Sequence, residues 1–528
     1  MPSQKSADLY DLLKRTAETH PDREAVVCHD FHCNYRRLKE RVDRLAQSLN
    51  SLGIQKDDKL AIIHKNCHRY LEAYFAVAKL GAILVPINYR LAEQDFIYIL
   101  NDAKAKALIA KPELIRGLKK RMNDIPTLEK IILTSQEKGV TWEETSDYDS
   151  FFEGTAPIEE AAAPVTDFTT AQIYYTSGTT GRPKGVILTH QNNLTHAEWA
   201  IKELRLTKND RWIHVSPMFH LADAWAVWSI TQTAGTHVIF PCFEPAVVLE
   251  TIAKHRVTLS NFIPTMLNIL VNFKDIEDYD LSSLRLIMSG GAPIAKEVVR
   301  KVIHLFGCDY IQTYGLTETS PFLTMSILKK EMKNLPFEER LKVMVTTGRP
   351  FFDVQIKVVR EGGDEVDPDN QEVGEIIAKG ETITPGYWNL PEETSMRIVE
   401  GWLHTRDLAV VNPEGYVTIV DRKDDVILTG GENVYSIEVE DALYSHPGIL
   451  EAAVIGLPDP VWGEKVTAIV VPKEGENLTE TEVIQFCKDN MAPFKAPKRV
   501  IFTENLPKTG SAKIYKYKLR EKYRSEER

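Results

Sequence analysis

The densest run of chemistry-bearing residues in this sequence is Tyr174-Tyr175-Thr176-Ser177-Gly178-Thr179-Thr180-Gly181-Arg182-Pro183-Lys184-Gly185. A strand candidate runs into hydroxyls, glycines and two cations. Glycines let backbone N–H groups approach a polyphosphate, hydroxyls donate hydrogen bonds to its oxygens, and Lys184 adds positive charge. A glycine- and threonine-rich stretch on its own is often a simple turn; these residue types in this order point to phosphate binding. The run is not a Walker A loop, because Lys184 sits between Pro183 and Gly185 rather than in Gly-Lys-Ser/Thr.

The elements that must position this loop read as alternating strands and helices. Leu60–His64 is a short apolar strand candidate, Tyr70–Leu80 repeats apolar residues at helical spacing and stops at Gly81, and Ala82–Pro86 follows as a strand. The rhythm recurs at Thr236–Phe240, Leu259–Phe262, Leu284–Ser289 and Asp309–Tyr314. Such alternation predicts an α/β fold of mostly parallel sheets covered by helices. Near the end the texture changes: Ala452–Leu457, Val466–Val471 and Lys498–Phe502 read as strands and Glu480–Asn490 as a helix, enough for a small α+β domain. The joint falls at Asp421-Arg422-Lys423-Asp424-Asp425, a charge run of the kind that is ordinarily a solvated loop.

Composition bounds the rest. At 528 residues and 43% hydrophobic, the chain is long enough for more than one core. A net charge of −11 disfavours nucleic acid or an anionic membrane as partner. The six cysteines are scattered without zinc-ligand spacing, which suits free thiols in a reducing cytosol. The N-terminus lacks a signal-peptide apolar stretch, no run of about 18 apolar residues appears, and the C-terminus matches no lipidation or peroxisomal signal, so a cytoplasmic location is expected.

Further motifs follow the loop in order: Ser289-Gly290-Gly291-Ala292-Pro293, Gln312-Thr313-Tyr314-Gly315-Leu316-Thr317-Glu318-Thr319, Trp402-Leu403-His404-Thr405-Arg406-Asp407 and Leu506-Pro507-Lys508-Thr509-Gly510-Ser511-Ala512-Lys513. With the loop, these resemble the ordered signatures of the adenylate-forming superfamily, which includes acyl- and aryl-CoA ligases, peptide-synthetase adenylation domains and luciferase. The resemblance is strongest to an acyl- or aryl-CoA ligase. It implies a large domain over residues 1–423 with the ATP and acid pockets, a small mobile domain over 424–528 bearing a catalytic lysine, and a hinge at Asp424. The implied reaction makes an acyl-AMP from ATP with Mg²⁺ and then passes the acyl group to coenzyme A.

Residue by residue, the resemblance places Thr176, Ser177, Gly178, Thr179, Thr180 and Lys184 on the phosphates. Gly291, Ala292, Pro293, Gln312, Thr313, Tyr314 and Gly315 would border the adenine, and Asp407, Ile419 and Arg422 the ribose and phosphate. Glu318, beside Thr317, is a hard oxygen ligand suited to Mg²⁺, which keeps most of its waters and bridges phosphates. Tyr314 has the flat apolar face that stacks on adenine, and Asp407 can accept both ribose hydroxyls. Lys513 would touch both the attacking carboxylate and the α-phosphate and so lower the barrier between two anions. The sequence departs from the superfamily at Ala512, where a glycine usually precedes this lysine.

Gly431 matches the glycine of the pantetheine tunnel, and Trp462 and Phe494 are candidates to stack on the coenzyme A adenine. Ser216-Pro217-Met218-Phe219-His220-Leu221-Ala222-Asp223-Ala224-Trp225-Ala226 resembles the opening of the acid pocket, with His220 beside the carboxylate. By the same matching Ala222, Trp225, Ala226, Gly291, Thr313 and Phe322 line it, an apolar set without a counter-charge. That suits an aromatic, alicyclic or medium-chain acid. Asp223 lies two residues beyond the position, Leu221, that pairs an amino-acid ammonium in adenylation domains, and on a helix it faces elsewhere. The alternatives are a stand-alone adenylation enzyme loading a carrier protein and a non-catalytic nucleotide-binding protein of the same fold.

Overall fold

In the computed structural model the described residues are 8–135, 145–151, 165–166, 168–176, 182–508 and 514–526. Two large sheets carry the first part of the chain. One has seven strands, including Lys59–Ile63, Ile83–Pro86 and Ala105–Ala110, all paired in parallel except the last, Lys184–Thr189, which returns antiparallel against Thr170–Thr176. The other has nine strands; Arg211–His214, Thr236–Ile239, Leu259–Phe262, Leu286–Gly290 and Asp309–Gly315 run parallel, with Phe322–Met325 antiparallel at one side. These strands are short, apolar and buried on both faces, as parallel strands between helix layers must be. The expected α/β fold with a small α+β unit is therefore present, and strand positions agree with the sequence reading to within about two residues at most ends.

The sequence reading missed a third sheet. Gln355–Val359, Gly374–Lys379, Ile398–Val399, Trp402–Val411 and Val417–Arg422 form five strands, all paired antiparallel. Their side chains alternate buried and half-exposed, a weaker signal than a continuous apolar run. This sheet carries Asp407, Ile419 and Arg422. The C-terminal unit is a mixed sheet in which the long pair Ile449–Asp459 and Gly463–Pro472 is antiparallel and Arg499–Phe502 adds in parallel. Helices Ser436–Tyr444, Glu480–Asn490 and Lys516–Glu526 accompany it.

The charge run 421–425 departs from a solvated loop. Asp421, next to last in the strand Val417–Arg422, is 1% exposed; its carboxylate accepts hydrogen bonds from the backbone N–H and, at 3.0 Å, the hydroxyl of Ser436. Burial raises the carboxyl above its usual range. Lys516 Nζ meets Ser436 Oγ at 2.6 Å and Glu440 at 2.7 Å, so the last helix is fastened to this joint. Of this run, 422–424 are exposed as expected, whereas Asp421 is part of an internal clasp.

Two helices frame the region of interest. His190–Glu203 starts on a reciprocal cap: Thr189 Oγ1 accepts from Asn192 N at 3.1 Å and Asn192 Oδ1 from Thr189 N at 2.9 Å. Leu221–Gln232 is apolar around nearly its whole circumference, so it must sit inside the protein, and ten of its twelve residues are buried. Among the described residues no helix is long and apolar enough to cross a membrane. All six cysteines are free thiols, five of them buried.

Candidate active site

The segment 384–393 gathers the phosphate-side residues. Ile187 N donates to Gly386 O at 3.1 Å and Trp388 N to Gly185 O at 2.7 Å, tying the segment to the strand that begins with Lys184. Thr384 N donates to Glu318 O at 2.8 Å, and Tyr387 Oη donates to Glu318 Oε1 at 2.8 Å. Lys184 Nζ pairs with Glu393 at 2.8 Å. Lys184 and Glu318, which lie 134 positions apart in the sequence, are thus held by one short stretch of chain. Thr176 pairs directly across from Lys184, and both begin or end a strand at the mouth of the loop. Ser177, Gly178, Thr179 and Thr180 lie outside the described residues.

Glu318 is 8% exposed, on the turn that follows the strand Asp309–Gly315. Gly315 is required there: a Cβ would lie 1.7 Å from Pro321 O. Burial, then the Glu318 charge, hold the Tyr387 phenol above its usual range, so it stays a donor. Among the described residues no group of three or more His, Cys, Asp or Glu could hold a metal. A single carboxylate suits Mg²⁺, which takes one or two protein ligands and completes its shell with phosphate oxygens and waters.

On the nucleotide side, Tyr314, Asp407 and Arg422 come together from three strands. Tyr314 Oη donates to Asp407 Oδ2 at 2.6 Å, and Arg422 Nε lies 3.2 Å from Oδ1. Asp407 is 6% exposed. Burial and the neighbouring carboxylate push the Tyr314 phenol well above its usual range. A carboxylate oxygen accepts more than one hydrogen bond, the chemistry by which an acidic side chain takes a diol. Ile419, on the Arg422 strand, is half-buried and anchored by Ile419 N to Thr347 Oγ1 at 2.9 Å. Gln312 Nε2 donates to Ala292 O at 3.1 Å, and Thr313 Oγ1 to Ser289 O at 3.1 Å, so the two neighbouring strand ends are stitched together. Gly291, Ala292 and Pro293 beside them are exposed.

On the acid side, His220 precedes the helix Leu221–Gln232, its ring 4.6 Å from that of Phe219. Ala222 is exposed, whereas Trp225, Ala226, Thr313 and Phe322 are at most 4% exposed. The Ala222 carbonyl accepts from Trp225 Nε1 at 3.1 Å and from Asn261 Nδ2 at 2.8 Å. Trp225 and Phe322 pack with ring centres 5.1 Å apart. Asp223 points away, as its helical position requires: it accepts from Trp212 Nε1 at 3.2 Å and meets His214 Nδ1 at 2.6 Å.

The C-terminal unit places Gly431 at φ +85° with nothing within 4 Å of an added Cβ. Trp462 stands beside the preceding Gly430, whose N–H donates to Trp462 O at 2.8 Å. Phe494 is exposed on a separate turn after helix Glu480–Asn490, with Lys495 Nζ 5.8 Å above its ring. Asp424 pairs with Arg406 of the antiparallel sheet, and Lys423 N donates to Arg406 O at 2.8 Å. Ala512 and Lys513 lie outside the described residues. Sequence reasoning missed Tyr387, Glu393, Asn261 and His196, whose partners are all distant in sequence. Only Gly386-Tyr387-Trp388, a glycine turn flanked by aromatics, carried a local signal.

The chain matches the AMP-binding enzyme family over residues 13–388 and the AMP-binding enzyme C-terminal domain over 438–513. It is 34% identical over 510 residues to a feruloyl-CoA synthase of Amycolatopsis, covering 96% of this chain and 98% of that one. Two solved structures share the fold along nearly the whole chain. Anthranilate CoA ligase AuaEII with anthranoyl-AMP has a TM-score of 0.89 at 25% identity, covering 99% of this chain and 98% of that one. O-succinylbenzoate coenzyme A synthetase from Bacillus subtilis with ATP and magnesium has a TM-score of 0.83 at 28% identity, covering 97% and 98%. Matched motifs, matched fold and matched length lead to one conclusion: the chain belongs to the AMP-binding enzyme superfamily, within its AMP-forming acid–CoA ligases.

Proposed function

We propose that this enzyme joins a mid-sized, largely apolar carboxylic acid (aromatic, alicyclic or medium-chain) to coenzyme A in two steps. In the first, a carboxylate oxygen attacks the α-phosphorus of ATP, a P–O bond to pyrophosphate breaks, and an acyl-AMP forms. In the second, the coenzyme A sulfur attacks the acyl carbonyl, AMP leaves, and the thiol proton is lost to solvent or base. The carrying observation is the juxtaposition of a paired polar cluster, Lys184, Glu318 and Asp407, with an apolar wall of Trp225 and Phe322.

The chain's own residues divide the work. Lys184 and the loop 176–184 take the phosphates, exchanging Glu393 for a phosphate oxygen. Tyr387 orients Glu318; Mg²⁺ held there supplies charge neutralisation on the phosphates. Asp407 takes the ribose hydroxyls, with Tyr314 and Arg422 fixing its carboxylate. Lys513 would supply the positive charge between the two anions of the first step. We place the domain boundary between residues 423 and 424 and the hinge at Asp424, where rotation would exchange Lys513 for the Gly431 and Trp462 face before the thiol attacks. Gly431 at positive φ with open space beside it suits a narrow passage for pantetheine.

The acid is read from burial. Trp225 and Phe322 close the floor, and both rings are buried. That favours a compact acid over a long fatty chain. The feruloyl-CoA synthase and anthranilate ligase relatives, named for aromatic acids, support the same size class. The test is AMP release against a panel of aromatic, alicyclic and linear acids with coenzyme A present. Highest kcat/KM for a compact acid is expected. A preference for chains longer than about twelve carbons, or acid-dependent pyrophosphate exchange without thioester formation, would overturn the reading.

A further inference from the structure

The helix His190–Glu203 brings one side chain to the acid-side wall that has no role in the scheme above. His196 is 1% exposed, and its ring centre lies 5.0 Å from Phe322, 5.2 Å from Phe351 and 5.7 Å from Trp225. Its Nε2 is buried with no hydrogen-bond partner among the described residues. Three residues earlier on the same helix face, Asn193 Oδ1 is likewise buried without a partner. Burial pushes the imidazole down to about 3, so the ring is neutral near pH 7. A phenylalanine would fill the same aromatic cage without stranding a polar atom. A histidine there makes physical sense when something entering the site completes its hydrogen bond.

We propose that His196 determines specificity at the far end of the acid pocket, selecting acids that carry a hydroxyl group remote from the carboxylate. A hydroxyl both donates and accepts, so it satisfies Nε2 in either tautomer. An ammonium is disfavoured because the three rings that enclose His196 carry no charge to balance it. The distance is suitable: Ala222 is exposed at the pocket mouth, and Trp225, which touches His196, is one helical turn, about 5 Å, further along the same helix. This inference rests on the acid–CoA ligase reading and on Trp225 and Phe322 lining the pocket.

The test uses the full chain and paired acids differing only in the distal hydroxyl: 3-phenylpropanoate against 3-(4-hydroxyphenyl)propanoate, and hexanoate against 6-hydroxyhexanoate. AMP release with coenzyme A gives kcat/KM for each. Wild type is expected to favour the hydroxylated member of at least one pair by about tenfold to a hundredfold, the size expected when a buried donor or acceptor would otherwise stay unpaired. His196→Phe should abolish or invert that ratio while retaining turnover of the unsubstituted acid, and His196→Gln should keep part of it. Should His196→Phe fail to fold, the wild-type ratio and His196→Gln still decide. AMP release with no hydroxyl preference in wild type, or a preference unchanged in His196→Phe, overturns this inference alone. Absence of acid-dependent AMP release with every acid overturns the ligase reading together with it.

Discussion

On the side that holds Lys184, Glu318 and Asp407, each charged group has a protein partner within 3.2 Å: Glu393, Tyr387, and Tyr314 with Arg422. On the side that holds Trp225 and Phe322, the walls are rings, and the imidazole among them has an Nε2 with no partner among the described residues. The first side is organised by charge pairing, the arrangement that the proposed polyanion and diol would exploit. The second is organised by packing, and its shape and the stranded His196 Nε2 are what the proposed selection of acids rests on. In the scheme proposed above, the polar side serves the reaction and the apolar side the choice of acid. Substitutions should separate the two.

The largest effect is expected from Lys513→Ala, which should slow acyl-adenylate formation by a factor on the order of 100–1000 and spare thioester formation from supplied acyl-AMP. Single-turnover assays of each half-reaction measure this. Trp225→Ala should act on the other side. Removing a fully buried indole costs about 3–5 kcal/mol of stability, seen as a lower Tm, and should shift preference toward longer acids while the KM for ATP changes little. Asp407→Asn should raise the KM for ATP by about tenfold to a hundredfold, as expected for losing charge-assisted hydrogen bonds, without altering the ranking of acids. A change in acid ranking here would break the division between the sides. Tyr387→Phe removes one hydrogen bond to Glu318. It should raise the Mg²⁺ concentration needed for half-maximal rate by about two- to tenfold, the worth of a typical net hydrogen bond of about 0.5–1.5 kcal/mol.

The smallest effect is in pH dependence. Burial pushes His64, His68 and His190 down to about 4 and His196 to about 3. These groups are neutral in the folded protein but take up protons near pH 6.5 when unfolded. Unfolding therefore binds protons below that value, and their contribution is full above pH 6.5 and lost as pH falls toward 4. Tm should decline over that window, and His196→Phe should flatten the decline slightly. An unchanged slope would mean that His196 is not held neutral.

How much of this is legible in the sequence follows the same division. The polar side is readable because its residues sit in or beside short motifs, so Lys184, Glu318, Asp407 and Arg422 are picked out through the resemblance those motifs carry. Their protein partners do not: Tyr387 lies 69 residues from Glu318, and only the folding of segment 384–393 onto two strands joins them. The parallel strands are legible because burial on both faces leaves continuous apolar runs. The antiparallel sheet of 355–422 is not, because half-exposed strands alternate and are interrupted by turns. Asp421 looks solvated because it stands in a charge run, yet Ser436 and the Lys516 helix bury it. Around Trp225, residue types suggest an apolar wall, but only packing shows that His196, from another helix, lies against it.

The most direct test of the central claim is the order in which products appear from wild-type enzyme given ATP, Mg²⁺ and its best acid, with coenzyme A added afterwards. The account predicts pyrophosphate and an enzyme-held acyl-AMP before the addition, then acyl-CoA and AMP in equal amounts after it. Release of ADP and phosphate, or thioester formation without a preceding acyl-AMP, would contradict it.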